Sequence, residues 1–251
     1  MKLIFWPYKM GSLSCKLLAR ELSALRVYPN RHYKPEQHHM LINWGNSNLV
    51  RVNWNIHRAG HVLNKPQAVS KASNKLSTLQ SLQGAGVGIP PWCTGGMVAD
   101  ILRFPIYCRT TLTGKGGDGI IVANEESELV YAPLYTQGVR VAREFRVHVF
   151  NDNIIDFTEK KKRRGVEHNE QIRNFKNGWV FCRQGIVLPD IVEEHAIRAI
   201  QALDLDFGAV DICITADNEP IVFEVNTAPG VEGSTLQAYT QAIKELCHGA
   251  S

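Results

Sequence analysis

The stretch DFGAVDICITADNEPIVFEVN, residues 206–226, constrains the fold more than any other. Two runs of alternating apolar residues flank ADNE, which is turn chemistry, so the stretch reads as an antiparallel hairpin. Alternation puts Val210, Ile212 and Ile214 on one face of the first strand and Asp211 and Cys213 on the other. In the second strand Ile221, Phe223 and Val225 share a face, and Val222, Glu224 and Asn226 share the opposite one. A tip at Asp217-Asn218 pairs 216 with 219, which brings Asp211 opposite Glu224 with Asn226 one diagonal step away. Directly opposed Cβ atoms lie ~4.5–5.5 Å apart, so the two carboxylates repel. Protonation of one, a bridging arginine or a divalent cation would each relieve that cost, and a solvated hairpin with outward charges is the remaining reading. Two carboxylates and a carboxamide form an all-oxygen set suited to Mg2+ or Mn2+ rather than zinc. The same register implies that Asp211→Asn leaves the ligand-free protein as stable as the parent, or slightly more so.

A second constraint is the strand-loop-strand IYCRTTLTGKGGDGIIVA, with Gly114, Gly116, Gly117 and Gly119 around Lys115. Glycines let backbone amides approach phosphates and let a lid move. No helix follows the loop, so it is neither a Walker A loop nor a dinucleotide fingerprint. Arg109, inside the first of these strands, needs a partner there, and a phosphate is a good bidentate one. Lys75, Arg109, Arg146 and the run Lys160 to Arg164 supply enough cations for a triphosphate. Alternation aims Lys160 and Lys162 the same way, while a solvated face is the plainer reading of the run as a whole.

The rest of the chain reads as alternating helices and strands. LIFWPY, a Gly-Ser turn, CKLLARELSALR and HHMLINWGN form a β-turn-α-β unit that favours parallel strands. A helical pattern covers Pro66 to about Pro91, and further helices are expected at Pro189 to Leu203 and from Ser234. The natural partition is an N-terminal α/β domain at 1–66, a central lid subdomain at 67–135 carrying the glycine loop, and a C-terminal subdomain at 136–251 carrying the acid-rich hairpin. A net charge of +4 over 251 residues suits an anionic ligand but is too weak to argue for nucleic acid. No apolar run approaches the ~20 residues of a membrane span. The six cysteines lie far apart without a CxxC pair, which points to free thiols and a reducing cytoplasm. His38, His39 and His148 show no ligand spacing and read as structural. No Ser-His-Asp or Cys-His nucleophile arrangement is present.

Together, the hairpin and the glycine loop resemble the ATP-grasp superfamily of ATP-dependent carboxylate-amine ligases, over about Lys75 to Thr240. The C-terminal motif is most similar to the ribosomal-protein glutamate ligase branch and to compact phage and bacilli relatives. The resemblance implies an ATP-grasp fold, with a short N-terminal α/β domain followed by two α+β subdomains that clasp the nucleotide. It implies an acyl-phosphate route that consumes ATP with Mg2+ or Mn2+, joins a small-molecule or peptide carboxylate to an amine, and releases ADP and phosphate. By the same resemblance Asp211, Glu224 and Asn226 hold the metal, and Lys75 and Arg109 reach the phosphates. Gly114 to Gly119 cover the phosphates, and Pro133, Leu134 and Tyr135 belong to the hinge that reads adenine. Glu144 binds ribose, Lys160 and Lys162 add to the ATP site, Arg146 faces the reacting phosphoryl and acyl groups, and Thr227, Pro229 and Gly230 present amides to the acyl substrate. Ala209 replaces an arginine of the dipeptide ligases, which shifts acyl-phosphate stabilisation toward Arg146. A hydroxyl kinase and a nucleotide-binding module without ligase activity are the competing readings.

Overall fold

The structure is a computed structural model, and it describes residues 1–27, 33–47, 58–113 and 117–249. The first sheet contains β1 (Lys2–Pro7), β2 (Leu25–Arg26), β3 (His39–Trp44) and β4 (His61–Leu63), with α1 (Leu13–Glu21) connecting β1 to β2. All its strand pairs are parallel, in the order β2-β1-β3-β4. Every residue of β3 is buried, as expected for a parallel strand covered on both faces.

The helical pattern after Pro66 divides into α2 (Pro66–Ser73) and α3 (Lys75–Gly84). Asn74 leaves the helical region, and its side chain accepts the Ser77 N–H at 3.1 Å. An asparagine stops one helix and caps the next in this way. The break makes Lys75 the first residue of α3, where it leaves the helix surface near the site.

A second, antiparallel sheet follows: β5 (Trp92–Cys93), β6 (Ile106–Arg109), β7 (Ile120–Ala123) and β8 (Leu134–Gln137), in the order β5-β8-β6-β7, with α4 (Val98–Ile101) against it. Its small core includes Val98, Ile106, Cys108, Ala123 and Tyr135. The third sheet is antiparallel and contains β9 (Val141–Phe150), β10 (Asn153–Lys162), β11 (Trp179–Cys182), β12 (Phe207–Thr215) and β13 (Pro220–Asn226), with α5 (Asp190–Ala202) and α6 (Ser234–Gly249). Its order is β11-β10-β9-β12-β13. β10 runs on through the basic residues to Lys162.

One face of this sheet carries Val147, Val210, Ile212 and Val222 against α5. Val69 of α2 and Leu82 of α3 join the same core. The apolar residues of these two helices therefore join the core of the large sheet, because they match the α5 layer, while Gln83 of α3 accepts from Trp92 Nε1 of β5 at 3.1 Å. Strand β8 also carries the lid sheet to Gln137, past the expected break at 135, and the chain crosses between sheets at Gly138–Arg140. The parallel sheet docks through an aromatic cluster in which Trp44 stacks on Phe207 at 5.2 Å and meets Tyr239 edge-on at 5.5 Å. Buried Asn64 ties the same junction together, donating to Phe207 O at 2.9 Å and accepting the Asp206 N–H at 2.8 Å. No helix among the described residues is long and apolar enough to cross a membrane.

A candidate active-site cleft

The hairpin that dominates the sequence is β12–β13, and Asp211 does lie opposite Glu224. It arrives there by a different path. The tip closes at Thr215 and Glu219, with Asn218 in the left-handed region at φ 63°. The strands then pair as Ile214–Pro220, Cys213–Ile221 and Ile212–Val222, one residue out of the expected register. A bulge between Ile212 and Asp211 absorbs an extra residue on β13 and restores the pair. Alternation is broken as a result: Val222 joins Val225 in the α5 core, while Phe223 lines the cleft beside Glu224. The sequence had placed Phe223 with Val225 and Val222 with Glu224.

The opposed carboxylates are relieved by cations of the chain itself. Arg146 lies across from Asp211 on β9 and donates to it in bidentate fashion, Nε to Oδ1 and Nη2 to Oδ2, each at 2.7 Å. Lys75 reaches Glu224 Oε1 at 2.7 Å. A third pair, Lys160 with Glu144, is buried beside them. Burial alone would raise the Asp211 carboxyl, but the charge and hydrogen bonds of Arg146 outweigh it and hold it below the usual range. The Asp211 charge in turn raises Arg146 above an ordinary guanidinium. Glu144 goes the other way, because burial raises its carboxyl more than Lys160 lowers it.

Arg109, at the end of β6, faces the same space from the lid sheet. Burial lowers its pKa against the pull of Glu224, and among the described residues no hydrogen bond or ion pair satisfies it. Lys75, Arg109, Glu144, Asp211 and Glu224 line a cavity of about 120 Å³, together with Phe223 and with Thr111, Gly117 and Asp118 of the lid. Thr111, Asp118 and Phe223 carried no sequence signal of their own.

The remaining candidates are placed as follows. Gly117 and Gly119 have positive φ, and Gly119 O accepts the Thr110 N–H at 2.8 Å. Gly114, Lys115 and Gly116 lie outside the described residues. Leu134 and Tyr135 open β8 and are buried in the lid sheet, Tyr135 Oη donating to Val130 O, and Pro133 directly precedes them. They stand before the crossing at Gly138–Arg140 and not at it. Lys162 pairs with exposed Glu170 outside the cavity lining. Asn226 Oδ1 accepts the Ala228 N–H at 3.0 Å, which shapes the turn bearing Thr227, Pro229 and Gly230. Ser14 Oγ accepts from Val231 N at 3.1 Å and fixes that turn to α1. Phe181 of β11 was missed by sequence reasoning; the Arg146 guanidinium lies over its ring at 4.8 Å. Asp211, Glu224 and Asn226 offer only oxygen atoms, so the donor set fits a hard divalent cation.

The three-sheet architecture is that of the ATP-grasp ligases. D-alanine–D-alanine ligase from Bacillus anthracis superposes over 98% of this chain and 93% of its own, with a TM-score of 0.66 at 13% identity. A RimK domain ATP-grasp protein from Sphaerobacter thermophilus covers 96% and 99% of the two chains, with a TM-score of 0.64 at 14% identity. The ATP-grasp ligase PsnB, solved with a minimal precursor variant, Mg and ADP, covers 97% and 98% with a TM-score of 0.66 at 12% identity. Residues 94–248 match the RimK-like ATP-grasp domain, and the chain belongs to that family. A probable alpha-L-glutamate ligase from Mannheimia succiniciproducens is 28% identical over 206 residues, 73% of this chain and 66% of the relative. One from Enterobacter sp. (strain 638) is 27% identical, covering 68% of this chain and 61% of its own. The chain thus spans less than two thirds of the length of these curated relatives. The family is the one that the hairpin and glycine loop resembled.

Proposed function

We propose that this protein is an ATP-dependent ligase that joins a carboxylate to an amine through an acyl phosphate and releases ADP and phosphate. The observation that carries the reading is the cleft itself, where Lys75, Arg109 and Arg146, from three separate elements, converge on Asp211 and Glu224. Arg109 lines the cavity and, among the described residues, has no carboxylate of its own, which a purely structural ion-pair set would not require. In this reading Lys75 and Arg109 hold phosphate oxygens, and the glycine loop at 114–119 covers them. Glu144 and the crossing after Tyr135 serve the nucleoside. Arg146 neutralises charge on the transferring phosphoryl group and acyl oxygen, and the turn from Thr227 to Gly230 holds the acyl substrate. Asp211, Glu224 and Asn226 would hold Mg2+ or Mn2+, which supplies charge neutralisation between phosphates when bound. Positioning and charge neutralisation suffice, so no enzyme nucleophile is required.

The substrates are read as small-molecule or peptide carboxylates and amines. The compartment is read as the cytoplasm: all six cysteines are free thiols, and burial pushes Cys15 and Cys213 up to about 12, where they are inert. The test is ADP and phosphate release with ATP and Mg2+ against a panel of amino acids and short peptides, with mass spectrometry of the products. Equal amounts of ADP, phosphate and an amide support the ligase. ADP with a phosphomonoester and no free phosphate makes the protein a kinase instead.

A further inference from the structure

At the amino end of β3, among the described residues, three metal-ligating side chains come together. Glu36, His38 and His39 each place one ligand atom within 4.8 Å of the other two. Neighbouring side chains in a strand diverge, so the adjacent histidines show no ligand spacing in the sequence. Here His38 still belongs to the turn and only His39 opens β3, so their rings meet edge-on with centroids 4.2 Å apart. The backbone of this turn is fixed from three sides. His39 N–H closes it onto Glu36 O at 2.9 Å, Lys2 N–H of β1 donates to His38 O at 2.9 Å, and Gly60 N–H donates to His39 O at 3.1 Å. A Cβ on Gly60 would lie 2.0 Å from Gln37 O, so only glycine lets the chain entering β4 close on the turn. The cleft side of the sheet is the other end, ~20 Å away along β3, where a Cβ on Gly45 would meet Ala228 Cβ at 2.6 Å.

The side chains are set for a cation. His39 is buried, and its Nδ1 accepts the Glu36 N–H at 2.9 Å, so a lone pair and not a proton points toward the turn. Tyr33 Oη lies 3.2 Å from the same nitrogen. His38 Nδ1 stands 3.5 Å from Glu36 Oε2. Ligands held at ~2.0–2.1 Å around a tetrahedral ion lie ~3.4 Å apart, so this edge already has the required length. Both of these side chains are exposed and can move the remaining distance toward the fixed His39. As a surface ion pair alone they contribute little to stability.

We propose that Glu36, His38 and His39 form a zinc site, in which the ion takes Nδ1 of each imidazole and one carboxylate oxygen, with water in the fourth position. The ion replaces the Glu36 N–H at His39 Nδ1, and that N–H, on an exposed residue, turns to solvent. Two nitrogens and one oxygen suit Zn2+, whereas Mg2+ favours oxygen alone, so this site and the all-oxygen set of the cleft select different ions. Its role is structural: it clamps the turn that ties the amino ends of β1 and β3 to the chain entering β4. The assignment does not rest on the ligase reading.

The test is a Zn2+ titration of the untagged, chelator-treated chain in excess Mg2+, followed by calorimetry and by melting curves, on the parent, His38→Ala and Glu36→Gln. Both substitutions fall on exposed side chains, so the metal-free variants should melt with the metal-free parent. The parent is expected to take one equivalent of Zn2+ and to melt at a higher temperature with it. Each variant should bind Zn2+ more weakly by at least the ~10–100-fold that loss of a mere supporting partner costs a metal site. Unchanged affinity in either variant removes that residue from the ion and overturns the three-ligand assignment. Zn2+ uptake that excess Mg2+ abolishes belongs to the cleft carboxylates and overturns it as well, as does uptake without saturation. If His38→Ala does not fold, Glu36→Gln carries the comparison.

Discussion

Asp211 and Arg146 face each other from neighbouring strands, and each keeps the other charged. Their side chains are only 17% and 27% exposed, so removing one charge strands the other in a poorly solvated place. Loss of one partner of a fully buried pair costs about 3–5 kcal/mol, and partial exposure reduces that here to about 2 kcal/mol. Asp211→Asn should therefore lower the stability of the ligand-free protein, opposite to what the hairpin alone implied. Strand alternation shows which residues oppose each other across one hairpin, but not what the third strand brings to them. A urea midpoint for Asp211→Asn equal to or above the parent's would contradict the pairing. His148 gives a pH signature of its own. It is 2% exposed, and burial pushes its pKa down to about 4, with Nδ1 3.3 Å from Tyr239 Oη. An unfolded histidine titrates near ~6.5, so between about pH 6.5 and 4 the unfolded chain binds the extra proton. Stability should fall across that window as pH is lowered, by about 3 kcal/mol from this residue, and stop falling from this cause below it. His148→Gln should flatten the decline; an unaltered pH slope in the variant would assign it to other groups.

At the scale of the element, legibility depended on whether a pattern has a second copy to betray its interruption. The β12 face, the parallel pairing of β1 with β3, and the helices at 190–202 and 234–249 were legible because their periods run uninterrupted, whereas Leu25–Arg26, expected as the end of the first helix, form β2. The β13 bulge was not, since Val222 and Phe223 are both apolar and either could face the core. The break at Asn74 had a visible cap residue, yet apolar spacing continues across it and reads as one helix. The crossing at Gly138–Arg140 was masked because the preceding strand starts later than its apolar run. The lid hairpin allows a direct comparison between two of its glycines. A Cβ on Gly119, at φ +72°, would meet Thr111 Cγ2 at 2.5 Å, whereas one on Gly117, at φ +95°, meets nothing within 4 Å. Gly117→Ala should cost only the backbone strain, about 1 kcal/mol. Gly119→Ala adds a clash at the residue whose carbonyl holds Thr110, and should cost about 2–3 kcal/mol. Thermal unfolding of the two variants, read near the lid by proteolysis, checks the order; Gly117→Ala proving the worse would show that strain and not contact dominates.

On the scale of the whole molecule, three sheets are joined so that the lid faces the large sheet across a space of about 120 Å³. Ligand sites of drug size run to ~300–1,000 Å³, so a nucleoside triphosphate requires the lid to move away from the large sheet. The ion pairs set the terms of that opening. Glu224 is held by Lys75 and Asp211 by Arg146, so a free divalent cation meets carboxylates already neutralised by the chain. In the proposed ligase, phosphate oxygens would draw Lys75 and Arg146 away, and the two carboxylates, left without their cations, would be the residues to hold a divalent ion. Cation and nucleotide are thereby coupled: each makes the exchange of partners favourable for the other, and linkage makes that coupling reciprocal. The expected outcome is a small melting shift with Mg2+ alone and with ATP in EDTA, and a larger shift with both than the sum of the two. At saturating Mg·ATP the stabilisation should reach a few kcal/mol, about 2.7 at a hundred times Kd. Glu224→Gln should abolish the excess while leaving the small ATP shift in place, because the phosphate cations remain. Four melting curves per protein decide it: a full shift from Mg2+ alone would mean that the chain's own cations do not guard the proposed metal site, and strict additivity would mean that the two ligands do not share it.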